Sequence, residues 1–108
     1  MEEIKLETLM GAYDWKEAMT YSKFRFDQIE KVILAIEGFN DGPDWILLVE
    51  LNGGGFGTLR ACCDYTGWDC QSGGSSGIFE TLELAYDWLK EDDGEHDDRI
   101  PKLEEIKK

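Results

Sequence analysis

The chain has 108 residues, 24 of them acidic and 11 basic, for a net charge of −13. That length holds one domain, and a 42% hydrophobic content with four Trp places it outside the disordered class despite the charge. Residues 32–90 carry nine carboxylates against only two cations, Arg60 and Lys90, so the folded centre is itself negative. Such a surface repels phosphate backbones and excludes nucleic-acid binding through the phosphates.

No apolar run reaches the 18 or so residues of a membrane helix, and Met1-Glu2-Glu3-Ile4-Lys5 lacks the apolar stretch of a secretory leader. Three Cys, an odd number, fit a reducing compartment better than a disulfide framework. We therefore expect a cytoplasmic protein with no membrane association.

Residues 1–22 are predicted helical. Leu6, Leu9, Met10 and Tyr13 recur at helical spacing, and the stripe changes phase near Gly11. Asp14 and Glu17 have the spacing of a capping box, which predicts a second helix burying Trp15, Ala18 and Met19. The α+β core is expected over 29–90. Its first segment, 29–38, fits either period: Ile29, Val32, Ile33 and Ile36 make a helical face, whereas Val32, Leu34 and Ile36 make a strand face. The β-branched content and the following Asn40-Asp41-Gly42-Pro43-Asp44 turn favour a strand.

Trp45-Ile46-Leu47-Leu48-Val49-Glu50-Leu51 is the clearest strand, apolar on both faces, and reads as a central strand covered on both sides. Asn52-Gly53-Gly54-Gly55 predicts a hairpin turn, and residues 56–63 pair back, with Leu59, Ala61 and Cys63 on one face and Arg60 on the other. Residues 72–77 read as a Gly/Ser linker, with Ile78-Phe79-Glu80 adding a short fourth strand. Thr81 is the expected N-cap of a helix burying Leu82, Ala85, Tyr86 and Leu89 and ending at Lys90. Residues 91–98 read as a charged linker, and Pro101 opens a short last helix anchored by Leu103 and Ile106. The expected fold is thus α+β: a three- to four-stranded antiparallel meander packed with N-terminal helices and a helix near 81–90.

The candidate binding residues are Asp64, Tyr65, Thr66, Trp68, Asp69 and Gln71, in the loop from Cys63 to Gln71 directly after a strand. Exposed Tyr and Trp side chains serve as contact anchors. The competing reading is structural, with Asp64 capping a turn, Trp68 plugging the edge of the core and the cysteines buried as small hydrophobes.

Catalytic and cofactor motifs fail on chemistry. A cysteine nucleophile wants a base, usually His, and the one His, His96, lies in the charged linker. Carboxylates beside Cys63 and Cys70 disfavour a thiolate, and Asp64 with Asp69 is a weak acid/base pair in so acidic a chain. Cys62 and Cys63 are adjacent and point oppositely in a strand, which defeats a zinc site completed by Cys70 and His96. A Cys63–Cys70 disulfide is conceivable across the loop, but a cytoplasmic setting argues against it. An EF-hand register on Gly94 puts Leu89 and Ile100 at ligand positions. Gly53-Gly54-Gly55-Phe56-Gly57 opens no helix and lacks the Lys-Ser/Thr of a phosphate loop. No metal, cofactor or catalytic residue is expected.

The segment Cys63-Asp64-Tyr65-Thr66-Gly67-Trp68-Asp69-Cys70-Gln71-Ser72-Gly73-Gly74, with the upstream Asn40-Asp41-Gly42-Pro43-Asp44-Trp45 turn, resembles a family of small uncharacterised bacterial and phage proteins. The resemblance spans residues 27–90 and implies a compact domain of microbial or viral origin, without an activity. Three functions of different classes fit the sequence. The first is a non-catalytic protein that binds a partner with a basic surface, in one version a phage-encoded inhibitor of a host defence or nucleic-acid-binding enzyme that mimics nucleic acid by charge. The second is a small-molecule binder or enzyme using Asp64, Tyr65, Asp69 and Gln71. The third is a structural protein working as an oligomer.

Overall fold

A computed structural model describes residues 5–39, 42–63, 67–68, 72–91 and 99–107. Four antiparallel strands, β1 (Ile29–Ile36), β2 (Trp45–Leu51), β3 (Phe56–Cys62) and β4 (Gly73–Phe79), form one sheet in sequence order. Helices α1 (Leu6–Met10) and α2 (Tyr13–Ala18) precede the sheet; α3 (Leu82–Glu91) and α4 (Leu103–Ile106) follow it. The fold is α+β, as expected.

β2 dictates the layering. Trp45, Leu47, Val49 and Leu51 point to one face of the sheet and join Leu9, Trp15, Ala18, Met19 and Phe24 from the N-terminal segment. Ile46 and Leu48 point to the other and join Ala85 and Leu89 of α3 with Ile100 and Ile106 of the C-terminal segment. A strand apolar on both sides needs both covers, and the chain supplies one from each end.

β1 resolves the helix–strand ambiguity of residues 29–38. It pairs with β2 through Ile29↔Leu51, Lys31↔Glu50, Val32↔Val49, Leu34↔Leu48, Ala35↔Leu47 and Ile36↔Ile46, with irregularities after Ile29 and after Val32. Each irregularity inserts one extra β1 residue, the count of a β-bulge. Ile29, Val32 and Ala35 consequently share the first face although they are three residues apart, while Leu34 and Ile36 turn to the second. The three-residue spacing of a doubly bulged strand imitates a helical stripe.

Two expectations are corrected. The Gly/Ser stretch is not a linker: residues 73–79 form β4 throughout, paired from Cys62↔Gly73 to Phe56↔Phe79. Small residues are used there because neighbours press on the strand. A Cβ on Gly74 would lie 2.8 Å from Tyr21 Cβ and 3.0 Å from the Arg60 carbonyl oxygen. The Ser76 hydroxyl accepts the Lys23 N–H at 3.0 Å and donates to the Thr58 carbonyl at 2.6 Å, stitching β4 to the N-terminal cover. The second correction concerns the N-terminal stripe. Leu9 is buried, but Met10 and Tyr13 are exposed, Tyr13 by 62%. The break at Gly11 and Ala12 restarts the helix in a new phase, and Trp15, Ala18 and Met19 take the core positions, as expected.

The hairpin between β2 and β3 forms as predicted, with Gly54 and Gly55 at φ 99° and 86°. Thr81 caps α3, its hydroxyl accepting the Leu84 N–H at 3.2 Å.

The close approach of Tyr21 separates two adjacent glycines. Gly74→Val should lower stability by about 1–3 kcal/mol, because the added methyls meet side chain and backbone that cannot retreat. Gly73→Val, with nothing within 4 Å of its built Cβ, should leave the urea midpoint unchanged or raise it. Equal losses at both positions would contradict this packing.

Candidate functional site

The described residues between β3 and β4, Cys63, Gly67, Trp68 and Ser72, are held from within. Cys63 is buried as the chain leaves the strand, and Gly67 takes φ 100° just before Trp68. Trp68 is only 7% exposed and lies in the first-face cluster, its ring centroid 4.9 Å from that of Trp45 at an interplanar angle of 54°. Its indole N–H donates to Asp14 Oδ1 at 3.0 Å. A buried indole requires an acceptor, and α2 provides one. Asp14 therefore does not form the expected capping box: α2 begins at Tyr13, and its N-cap, Ala12, makes no side-chain cap bond. Ser72 closes the loop, donating to the Trp68 carbonyl at 3.0 Å and hydrogen-bonding the Tyr21 hydroxyl.

This geometry corrects one expected contact residue. Trp68 is a core plug and offers no exposed anchor. The other five, Asp64, Tyr65, Thr66, Asp69 and Gln71, lie outside the described residues, as do Cys70 and His96. Cys62 is exposed and Cys63 buried, the opposite orientations that adjacent strand positions require. Burial and the charge of Asp44 push the Cys62 thiol up, away from thiolate reactivity. Among the described residues no group of three His, Cys, Asp or Glu side chains is placed to hold a metal ion.

On the second face Arg60 is a buried cation. It donates to Asp44 Oδ2 and to the Leu89 carbonyl, both at 3.1 Å. The latter is one of the last carbonyls of α3, where a positive charge is favoured. Arg60 thus ties the β1–β2 turn to the end of the helix, and its signal in the sequence was a lone cation in an apolar strand.

The exposed side of this layer is a ridge of carboxylates. Glu83, Asp87 and Glu91 follow at i, i+4 and i+8 on α3, all exposed, with Leu84 between them 52% exposed. Glu104 and Glu105 of α4 approach the same ridge. Their field reaches Tyr86, whose phenol is pushed up by burial first and then by Asp87, Glu105 and Glu104. The Tyr86 hydroxyl donates to the Pro101 carbonyl at 2.7 Å. Glu83 is held below the usual carboxylate range, chiefly by its 2.6 Å bond from Lys107 Nζ. The ridge escaped sequence reasoning because α3 and α4 are separated by residues 92–102; only the α3 spacing was visible.

Comparisons with protein-family models, curated proteins and solved structures return no match.

The pinned loop generates a stability ranking. Trp68→Ala should cost about 3–5 kcal/mol, the usual cost of emptying a buried aromatic site. Asp14→Ala, which leaves the indole N–H without its acceptor, should cost about 1–3 kcal/mol. Chemical denaturation followed by circular dichroism checks both. A Trp68→Ala protein as stable as wild type would return this side chain to the surface.

Proposed function

We propose that this protein works by binding a partner protein with a basic surface and carries out no chemistry of its own. The observation that supports this reading is the exposed ridge of Glu83, Asp87, Glu91, Glu104 and Glu105; Asp87, Glu105 and Glu104 add to burial in pushing the Tyr86 phenol up. Like charges four residues apart weaken a helix by a few tenths of a kcal/mol per pair. Solvent-exposed carboxylates so arranged make no apolar core. They do steer a positively charged partner toward the surface and set the salt dependence of its association. In the sharper version the partner is a host defence or nucleic-acid-binding enzyme, and the ridge occupies its basic groove in place of phosphates. That version rests on analogy of charge and size.

Two measurements test the proposal. Duplex DNA should show no mobility shift at about 150 mM salt with chelator present, because too few clustered cations exist to release counterions. The immobilised protein, incubated with bacterial lysate, should retain a partner at low salt and release it at high salt. The triple variant Asp87→Lys, Glu104→Lys, Glu105→Lys should retain none of it while keeping the melting temperature within a few degrees. The proposal fails if the variant captures the same proteins as the native chain, or if DNA binds at micromolar concentration.

A further inference from the structure

The C-terminal segment differs in charge from everything it packs against. Residues 99–108 contain four cations and two carboxylates, whereas residues 1–98 contain seven cations and twenty-two carboxylates. A segment of net positive charge therefore lies on a strongly negative body. Its apolar side chains recur every three residues: Ile100 and Ile106 are 6% and 8% exposed, and Leu103 between them is half-buried. Ile100 and Ile106 enter the second-face cluster with Leu34, Ile46, Leu48, Ala85 and Leu89. Two of the segment's polar ties run from its cations to acceptors on the body. Arg99 Nη1 donates to the Glu37 carbonyl at 3.2 Å, just past β1, and Lys107 Nζ donates to Glu83 at 2.6 Å on α3. The segment thus runs from the end of β1 to α3.

Its own structure is weak. α4 has four residues, and Lys102 at its N-cap makes no side-chain cap bond. A helix so short has no stability of its own, so the groove imposes this conformation. Segments of this kind open at the low-stability end of the native ensemble. The segment thus brings two things to the second face: a cation beside Glu83 of α3, and apolar side chains three residues apart.

We propose that the groove between β1 and α3 is a docking site for a basic segment of the partner protein, and that residues 99–107 occupy it in the free protein as a stand-in which that segment displaces. The proposal rests on the basic-partner reading above and specifies where and how such a partner is held. It makes Glu83, Asp87 and Glu91 of α3 the rim of the site and Ile46, Leu48 and Leu89 part of its floor, while Glu104 and Glu105 leave with the strap.

The first test uses the intact protein. Hydrogen exchange should release the amides of residues 103–107 at least tenfold faster than those of residues 85–89, since the strap opens without the rest. Equal protection of the two segments would show a single cooperative unit and overturn the proposal. The second test uses a fluorescent peptide with the sequence of residues 99–108 as probe. It should bind the full-length variant Ile100→Ser, Ile106→Ser at least tenfold more tightly than the native chain. Raising the salt should weaken that binding, and replacing both Ile of the peptide by Ser should abolish it. Equal binding to the two proteins, indifference to the peptide's Ile residues, or loss of the variant's cooperative melt would each overturn the proposal. So would a native chain that forms concentration-dependent dimers and ignores the peptide, since the occupant would then be the segment of a second copy. If the peptide fails while lysate capture through the ridge persists, the groove is rejected and the basic-partner reading stands. If the peptide binds but capture is insensitive to charge reversal, the basic-partner reading fails and the docking proposal, which rests on it, fails with it.

Discussion

The structure depends on β2, a seven-residue strand in which only Glu50 escapes full burial. A strand apolar on both faces cannot lie at a solvated surface. Each face demands a cover, and a chain of 108 residues has little to spare for two. The N-terminal helices and the Trp68 loop complete the first face; α3 and the C-terminal segment complete the second. That demand explains why an aromatic residue in a polar loop is drawn inside, and why so short a helix as α4 sits on the sheet at all.

Two polar side chains carried inward by this layering find partners across the fold. The Trp68 indole finds Asp14, and the Arg60 guanidinium finds Asp44 and the end of α3. Both arrangements join elements far apart in sequence: Asp14 precedes the sheet whereas Trp68 lies between β3 and β4, and Arg60 links the β1–β2 turn to α3. Removing one partner of such a bond leaves a desolvated group unsatisfied, which costs more than the bond itself contributes. These pairs therefore favour one arrangement of covers over others of similar apolar content.

The excess negative charge lies outside this frame. On α3 it occupies the side turned away from Ala85 and Leu89, where water solvates it and the core is indifferent to it. The fold neither needs the ridge nor is built by it. A surface property that the fold tolerates at a small cost, and that Lys107 partly neutralises at Glu83, is where a functional reading has most to work with.

Much of the architecture was legible in the sequence alone. Strict local signals sufficed for β2 and β3, for the glycine hairpin between them, and for α3 with its Thr81 cap, because each depends on neighbours within a few residues. The net charge needs no structure either. Tertiary packing decided the rest. The bulges of β1 arise from pairing with β2, so no period within residues 29–36 reveals them. β4 looks like a linker because its glycines and serines are selected by the pressure of Tyr21 and by hydrogen bonds to Thr58, not by strand propensity. Trp68 reads equally well as anchor or plug until the cavity beside Trp45 and the carboxylate of Asp14 are in place. The ridge shared by α3 and α4, and the packing of Ile100 and Ile106 against β1, β2 and α3, exist only once residues far apart in the chain meet, because charge and apolar surface act through distance in space and not along the sequence.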